Sequence, residues 1–495
     1  MQLSRFNVQV PLPDRNEVFL MNTFSDAQLL ASPDVATLLD RIARGESSFD
    51  AEERETIDAL RDNGFIVESR ENERVALDQY FHNLREDTEQ VRVTVLTTLQ
   101  CNFACDYCFQ GDHGDYNKFA EKMSLETAAK VAEWIAGRLD EVRPGRFVLT
   151  LFGGEPLLNL PVAYFLAERC HRECETRGVR QAISLITNGL LLTPEVVDRL
   201  TPYGLSGVKI TLDGDRETHN RMRPLRGRQG TFDRIIENVR RVANKVPITI
   251  GGNFDESSAD SFPALLDYLR EQEFAGKIVK VNFKPVIKSF DQPAAASPSY
   301  VASGSSRSYV ASGSPSYVAS GFSRTSVIPL TLVSGDGKPL NGTCMTSAGA
   351  GRLAPATASS VCDSCHFVDE KMAFLRSETR RRGFPTPDGV HMGPCEIHRR
   401  HAYTLGPDGS IYACPGFTGS KTDSTGHIDG RVEEWRRAAA VRFERLSPRK
   451  DECGECSFVP VCGGGCSVAA HTELGDMHQP SCHKGALEAA VVSLA

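Results

Sequence analysis

The sequence predicts an α/β protein: a partial (β/α)6 barrel with a small N-terminal α+β unit before it and a cysteine-rich unit after it. Three observations carry that expectation. Six short, mostly apolar runs between Val91 and Val286 alternate with segments of helical periodicity, the pattern of parallel strands joined by crossover helices. Polar and glycine-rich motifs fall just past the C-terminal ends of those runs, where barrels build their sites. Of the 15 cysteines, ten fall into two spaced patterns, one after the first run and one from Cys395 onward.

Composition narrows the class. The 495 residues suffice for two to four domains, and 40% hydrophobic with 24% charged residues is ordinary for a globular chain. A formal charge of −8 gives no reason to expect a nucleic-acid partner. No apolar run reaches membrane-spanning length, so no membrane partner is expected. The start, MQLSRFNVQVPLPDRNE, lacks a basic stretch followed by an apolar core. A cytoplasmic location is therefore expected, where cysteines point to metal or redox chemistry rather than disulfides.

Residues 1–90 read as a separate α+β unit, winged-helix-like in its elements. Strands are expected at Phe6–Val10, Glu17–Asn22 and Phe65–Glu68. A helix is expected at Pro33–Ala43, with Ser32 as cap and Pro33 at its first position, and another at Ala51–Asp62, stopped by Asn63-Gly64. The unit serves either peptide recognition or as a cap on the next domain. Residues 91–290 form the barrel. Its strands are Val91–Thr98, Val148–Phe152, Ile183–Ile186, Val208–Leu212, Ile248–Ile250 and Ile278–Val286. Its helices lie near Leu125–Leu139, Val162–Arg177, from Pro194, Thr231–Ala243 and Phe262–Gln272. Six units rather than eight imply an open barrel with a lateral mouth wide enough for a peptide.

Residues 291–360 read as a Ser-, Gly- and Ala-rich flexible insertion, in which Ser-Tyr-Val-Ala-Ser-Gly occurs three times. Residues 361–390 hold Phe367–Arg382, expected as the last barrel helix. Residues 391–495 form the cysteine-rich unit. Cys170 and Cys174, four apart on one expected helix, share a face and read as buried thiols.

The first pattern is Cys101-x3-Cys105-x2-Cys108, directly after the first strand. Zinc prefers four ligands in paired Cys-x2-Cys units, and this triplet fits zinc poorly. Three thiolates can hold three irons of a [4Fe-4S] cluster and leave the fourth open to a ligand. The spacing resembles the signature of the radical S-adenosylmethionine (radical SAM) superfamily, and Gly153-Gly154-Glu155-Pro156 matches that family's element for the methionine amino group. The resemblance implies that S-adenosyl-L-methionine (SAM) chelates the open iron and is cleaved to a 5′-deoxyadenosyl radical. It implies SAM contacts for Gly153, Gly154 and Glu155. Tyr107, before the third cysteine, lies either near the adenine or in plain packing. Asn188, in Thr187-Asn188-Gly189, and Asp213 end the third and fourth strands and resemble positions near the ribose and methionine; Asn188 reads equally as a turn residue. In the run Asp213-Gly-Asp-Arg-Glu-Thr-His219-Asn-Arg221-Met-Arg223, Arg223 is the candidate partner of the SAM carboxylate, with Arg221 close behind.

The second pattern is Cys395-x13-Gly409-x4-Cys414, then Cys453-x2-Cys456-x5-Cys462-x3-Cys466-x15-Cys482. It resembles the SPASM extension of radical SAM peptide- and protein-modifying enzymes. That likeness implies two auxiliary [4Fe-4S] clusters: Cys453, Cys456, Cys462 and Cys482 on one, Cys395, Cys414 and Cys466 on the other. A fourth ligand for the latter would be Cys365, with Cys362 and Cys344 behind it, or the iron stays open. The function so implied is radical modification of a ribosomally made peptide or protein, by a crosslink or related oxidation, with a low-potential donor such as flavodoxin or ferredoxin. Pro415 stands where the sulfatase-maturing branch has a candidate aspartate base, which argues against formylglycine formation and leaves no named general base. The alternative from another class is a non-catalytic iron–sulfur electron carrier or sensor, which would need no SAM pocket.

Overall fold

The computed structural model describes residues 1–108, 120–286, 355–387, 394–419, 423–430, 453–492 and 494. The repeats and Cys344 lie outside the described residues. The N-terminal unit comprises β1 (Gln2–Leu3), β2 (Asn7–Leu12), β3 (Glu17–Asn22), β4 (Gln28–Ala31), α1 (Pro33–Ala43), α2 (Ala51–Asp62), β5 (Ile66–Val67) and α3 (Arg70–Arg85). β2, β3 and β4 form an antiparallel meander, and β1 pairs with β5. Local chemistry sets the helix starts. The Ser32 hydroxyl accepts the Val35 N–H at 3.1 Å, and Asp50 and Glu53 exchange bonds in a capping box before α2. Two elements have no clear sequence signal. β4 is four residues long, and α3 buries only Glu73, Leu77 and Phe81. The Glu73 carboxylate accepts from the hydroxyl of Ser4, and from Arg5 through its N–H at 3.1 Å and its Nε at 3.2 Å. The expected strand at Phe65–Glu68 shortens to β5.

The barrel runs β6 (Gln90–Leu96), α4 (Leu125–Val142), β7 (Arg146–Phe152), α5 (Leu160–Glu175), β8 (Arg180–Thr187), α6 (Pro194–Leu200), β9 (Leu205–Thr211), α7 (Arg216–Met222), α8 (Phe232–Val242), β10 (Ile248–Phe254), α9 (Phe262–Arg270), β11 (Ile278–Pro285) and α10 (Pro355–Arg381). The six strands β6 to β11 lie side by side in sequence order, all parallel. Each strand has two faces. Val91, Val93, Val95, Phe147, Leu149, Leu151, Val208 and Ile210 are buried under the helices, while Arg92, Thr94, Val148, Thr150, Lys209 and Thr211 are only partly buried. The second set faces the barrel interior, which is therefore open rather than packed.

Two boundaries depart from expectation. Gly251, Gly252 and Asn253 lie inside β10 rather than after it, because the parallel pairing with β11 continues from Gly251↔Asn282 to Phe254↔Pro285. The last barrel helix starts at Pro355, so residues 355–360 of the expected insertion are helical. α10 closes the barrel as the helix that follows the sixth strand: Leu375 is buried, Lys371 pairs with Asp260 at 2.7 Å, and Arg382 pairs with Asp267 at 2.7 Å.

The cysteine-rich unit contributes β12 (Ala402–Leu405), β13 (Ser410–Tyr412), β14 (Ser424–His427), α11 (Val459–Cys462), α12 (Ser467–Leu474) and α13 (Lys484–Val492). β12 pairs in parallel with β6, from Ala402↔Arg92 to Leu405↔Val95, so the barrel sheet extends to nine strands. The N-terminal unit seats on this terminal unit. Val8, Val10, Phe19 and Met21 pack with Phe458, Ala490 and Val491, and Arg5 Nη1 donates to the Gly454 carbonyl at 2.7 Å. Among the described residues no helix is long and apolar enough to cross a membrane.

Candidate active site

The end of β6 turns directly into Cys101, Cys105 and Cys108. The loop is tied down from two sides. The Ala104 N–H donates to the Pro224 carbonyl at 2.9 Å, and the Asn188 side chain donates to Asn102 Oδ1 at 2.7 Å. Burial pushes the Cys101 thiol up to about 12 and the Cys105 thiol up as well. All three sulfurs are within electrostatic range of one another.

The Gly153-Gly154-Glu155-Pro156 turn supports this loop. A Cβ on Gly153 would stand 2.3 Å from the Thr98 carbonyl oxygen, and one on Gly154 2.2 Å from that of Gln100. Both glycines are required by close approach to the chain's own cysteine loop, where the sequence reading expected approach to a ligand. Gly154 N–H bonds to Thr98 O, and Glu155 N–H to Gln100 O, each at 2.8 Å. The Glu155 carboxylate is fully buried. It accepts from Leu157 N at 3.0 Å, Thr187 Oγ1 at 2.8 Å and Asn188 N at 2.8 Å. Burial raises its pKa against the pull of these donors. Its side chain thus locks the end of β7 to the end of β8. The turn's carbonyls remain as the groups that can accept from an ammonium. Asn188 is a turn residue, its Oδ1 accepting from Leu190 N at 3.0 Å, while its amide donates to Asn102 in the cysteine loop.

A second network closes the other side. The Tyr107 hydroxyl donates to Asp213, and Arg223 Nη1 donates to that hydroxyl at 2.5 Å and to Asp213 Oδ2 at 3.3 Å. Asn253 N–H donates to Asp213 Oδ1 at 2.6 Å. Tyr107, expected beside an adenine or in packing, bridges the buried Asp213 carboxylate and the Arg223 guanidinium. Arg223 stacks over Phe103 at 5.5 Å. Burial works against its charge, but Tyr107, Cys105 and Asp213 around it hold the guanidinium firmly protonated. Its Nε is buried without a partner among the described residues. Arg221 points away, its Nη2 donating to the Ser257 carbonyl at 3.3 Å, so geometry separates the two arginines.

Three residues to which the sequence alone assigns no role position this network. His219 accepts from Asp213 N at Nδ1, at 3.1 Å, which leaves the proton on Nε2 to face Thr231 Oγ1 at 3.0 Å. Thr231 then donates to the Arg223 carbonyl at 2.9 Å. Burial, then Arg223, holds His219 well below the ordinary range, so the ring is neutral. His219 and Thr231 therefore fix both Asp213 and Arg223. Asn253 is the third; its place in β10 was hidden by the preceding glycines.

In the terminal unit, electrostatic proximity sorts the cysteines into two groups. The Cys414 thiol, pushed up to about 12 by burial first, also feels Cys395 and Cys466. Cys395 is exposed as a residue, yet burial of its thiol pushes it up, with Cys466 adding to the shift. Cys462, pushed up to about 11 by burial, feels Cys456 and Cys482. The Cys456 N–H bonds to the Cys453 carbonyl at 3.0 Å, placing Cys453 in the same turn. Cys362 and Cys365 lie in the first part of α10, where side chains up to residue 366 are outside the described residues. Cys170 and Cys174 are buried in the barrel core, as expected of structural thiols.

Among the described residues no three His, Cys, Asp or Glu side chains converge on a single-ion site. Ligands of a four-iron cluster each hold a different iron and stand apart. Three clustered thiols, two turn carbonyls that accept no hydrogen bond among the described residues, and the guanidinium of Arg223 near Cys105, with its Nε lacking a partner among them, fit an iron–sulfur cluster with a zwitterionic ligand.

Residues 95–268 match the family model described as Radical SAM superfamily. The chain is 26% identical over 177 residues to Fe-coproporphyrin III synthase of Methanosarcina barkeri, covering 36% of this chain and 40% of that protein. It is 32% identical over 146 residues to a GTP 3',8-cyclase of Synechococcus sp., covering 29% and 39%. It is 25% identical over 171 residues to the sporulation killing factor maturation protein SkfB of Bacillus subtilis, covering 34% and 37%. The chain thus spans about two fifths of the length of these curated relatives. Among solved structures, native anSMEcpe with bound AdoMet has a similar fold. Its TM-score is 0.56 at 16% identity, covering 81% of this chain and 98% of that one. The same protein with bound AdoMet and Cp18Cys peptide gives a TM-score of 0.51 at 16% identity, covering 82% and 96%. The matched segment contains the cysteine triplet, the Gly-Gly-Glu-Pro turn and the Asp213–Arg223 network, and it is this segment, residues 95–268, that carries the likeness to the radical SAM superfamily.

Proposed function

We propose that this chain cleaves SAM at a cluster held by Cys101, Cys105 and Cys108, and uses the resulting radical to modify a ribosomally made peptide or protein. The observation that carries the reading is the orphaned Nε of buried Arg223, beside Cys105 and anchored through Tyr107 and Asp213. A buried guanidinium with one donor free suits a carboxylate such as that of SAM. A bound SAM would supply the 5′-deoxyadenosyl radical. The chain's own residues hold its carboxylate (Arg223), its ammonium (the Gly153 and Gly154 carbonyls) and the geometry of the loop (Glu155, Asn188). Asp213 and Tyr107 fix Arg223 rather than meeting the ligand first.

A peptide substrate is supported by the N-terminal unit, whose meander ends in the edge strand β4, a place where an extended peptide can add. It is supported also by the two cysteine groups, which would hold auxiliary clusters: Cys395, Cys414 and Cys466, with Cys365 as candidate fourth ligand, and Cys453, Cys456, Cys462 and Cys482. These would accept the electron left after bond formation. Pro415 keeps the expectation away from formylglycine and towards a crosslink or related oxidation. A flavodoxin or ferredoxin would reduce the first cluster.

The test is anaerobic reconstitution, reduction and incubation with SAM. Formation of 5′-deoxyadenosine is expected, and its absence with and without candidate peptides would leave a non-catalytic iron–sulfur protein. Iron analysis should find roughly twelve irons per chain for three such clusters. Cys101→Ala should abolish SAM cleavage, whereas Cys453→Ala should spare it and impair product formation. Equal loss in both would contradict the division of labour.

A further inference from the structure

Lys209 has no role in the site described above. It lies on the interior face of β9, while its neighbours Val208 and Ile210 are buried under the helices. Its stem crosses the next strand at Gly251: a Cβ there would stand 2.6 Å from Lys209 Cε and 3.5 Å from Nζ. Glycine at that position opens the groove in which the side chain lies. The residues paired with Lys209 in register are Ile186 on β8 and Thr249 on β10, both uncharged. The charged group it feels is Lys284 on β11. Lys284 pairs in register with Asn253, the residue that holds Asp213. It is also within electrostatic range of Cys395 and Cys414.

Neither the partly buried Lys209 nor the exposed Lys284 makes a hydrogen bond or ion pair among the described residues, whereas the buried carboxylates Glu73 and Asp213 are both paired. Burial, then Lys284, brings Lys209 down to about 8. Two ammonium groups on one partly exposed face, without a counter-charge among the described residues, repel each other, and an anion between them relieves the repulsion. Two point charges and uncharged walls suit a carboxylate. A phosphate would leave oxygens without donors.

We infer that Lys209 and Lys284 form a cationic subsite inside the barrel that takes a carboxylate of the substrate, between the Asp213–Asn253 end of the SAM network and the Cys395–Cys414 group. The inference rests on the proposed reading that a peptide enters the barrel mouth. The carboxylate belongs either to an acidic side chain or to a peptide C-terminus. An anchor there sets which substrate carbon faces the radical.

The test is protection of lysine from acylation, read residue by residue by mass spectrometry on the full, cluster-reconstituted chain. The probes are N-acetylglutamate amide (side-chain carboxylate), N-acetylglutamine (terminal carboxylate), uncharged N-acetylglutamine amide, inorganic phosphate and SAM. Acylation of Lys209 and Lys284 is expected to fall severalfold with one or both carboxylate probes and to stay unchanged with the uncharged amide. Lys284→Gln should raise the probe concentration needed to protect Lys209 by about tenfold, the size of one lost charge-assisted hydrogen bond. Equal protection by the uncharged amide, or none by either carboxylate, overturns the inference. So does protection by phosphate alone, which would mean an adventitious ion only. Protection by SAM alone would assign the lysines to the cofactor, and unchanged Lys209 protection in Lys284→Gln would break the pair. None of these readouts needs SAM cleavage, so failure of the radical reading and failure of this one are told apart by the 5′-deoxyadenosine assay.

Discussion

Replacing Lys209 by methionine should make the protein more stable at neutral pH, not less. The stem of Lys209 packs beside Gly251, and methionine retains most of that contact while removing the charge. The ammonium is held at about 8 against an ordinary 10.5, by burial first and by Lys284 second. A lysine whose folded pKa is depressed is harder to protonate in the folded state than in the unfolded one. At about 1.4 kcal/mol per pH unit, the penalty is bounded at roughly 3 kcal/mol. The sign fixes the pH window. Below pH 8 both states carry the proton and the full penalty applies. As pH rises from 8 towards 10.5 the folded state sheds the proton first, and the penalty fades. Lys209→Met should therefore gain about 1–3 kcal/mol at pH 7, roughly 2–4 °C in Tm per kcal/mol for a barrel-sized domain, and less at pH 9.5. The measurement is urea or thermal unfolding of both proteins across that range. The difference between them cancels every other titrating group they share. A loss of stability at pH 7, or a gain that does not shrink with rising pH, would refute the reasoning.

Three further outcomes follow from the site. Gly154→Ala places a methyl 2.2 Å from the Gln100 carbonyl; it should cost about 1–3 kcal/mol or more and lower iron loading at Cys101–Cys108, checked by Tm and iron content, and unchanged loading would contradict the supporting role. Glu155→Gln leaves an amide facing donors from Leu157, Thr187 and Asn188; a loss of about 2 kcal/mol is expected, read by denaturant titration, with neutrality as the contrary result. His219 is held neutral, well below its ordinary 6.5. Wild type should therefore lose about 1.4 kcal/mol per pH unit below roughly 6.5, as the unfolded chain takes the proton. His219→Gln should lack that increment between pH 7 and 5.5, and parallel Tm profiles would exclude it.

Much of this architecture was legible because its signals are local. Ser32, Pro33 and the helical spacing of Leu38, Leu39 and Ile42 fix α1 within one turn, and α1 has the expected bounds. The alternation of Val91, Val93 and Val95 gives β6, and the cysteine spacing gives the loop that follows. The parts that were not legible depend on partners distant in sequence. Gly251-Gly252 reads as a strand end, since glycine weakens a strand, yet pairing with β11 carries the strand through to Phe254. Gly153 and Gly154 signal a close approach, but which backbone approaches is decided only when Thr98–Gln100 folds over them. β12 is four residues long and pairs with a strand far upstream, so no periodicity announces it. Lys209 did leave a trace: a lysine amid the apolar run of a parallel strand is unexpected unless its face is open.

The placement of β12 constrains how the two chemistries meet. The long segment between β11 and α10 would suggest a terminal unit loosely tethered to the barrel. The backbone says otherwise. Arg92 N–H bonds to the His401 carbonyl at 2.9 Å, and β12 runs in register along β6, the strand that delivers Cys101. Arg92 pairs with Glu396 at 2.9 Å, Arg400 with Glu86 at 2.7 Å, and Arg399 with Asp87. Cys395 and Cys414 flank the hairpin so anchored, on the same sheet as the cysteine triplet. Their separation from the triplet is thus set by strand pairing rather than by linker length. The second cysteine group is held against the N-terminal unit, where Phe6, Leu77 and Phe81 pack with Val459 and Cys453. On the proposed reading, a sheet that fixes both ends leaves the partly exposed interior face, with Lys209 and Lys284 on it, as the place where a substrate can vary in position. Recognition on that reading falls to groups on that face and to the N-terminal unit, where, among the described residues, two unpaired lysines and an edge strand are found.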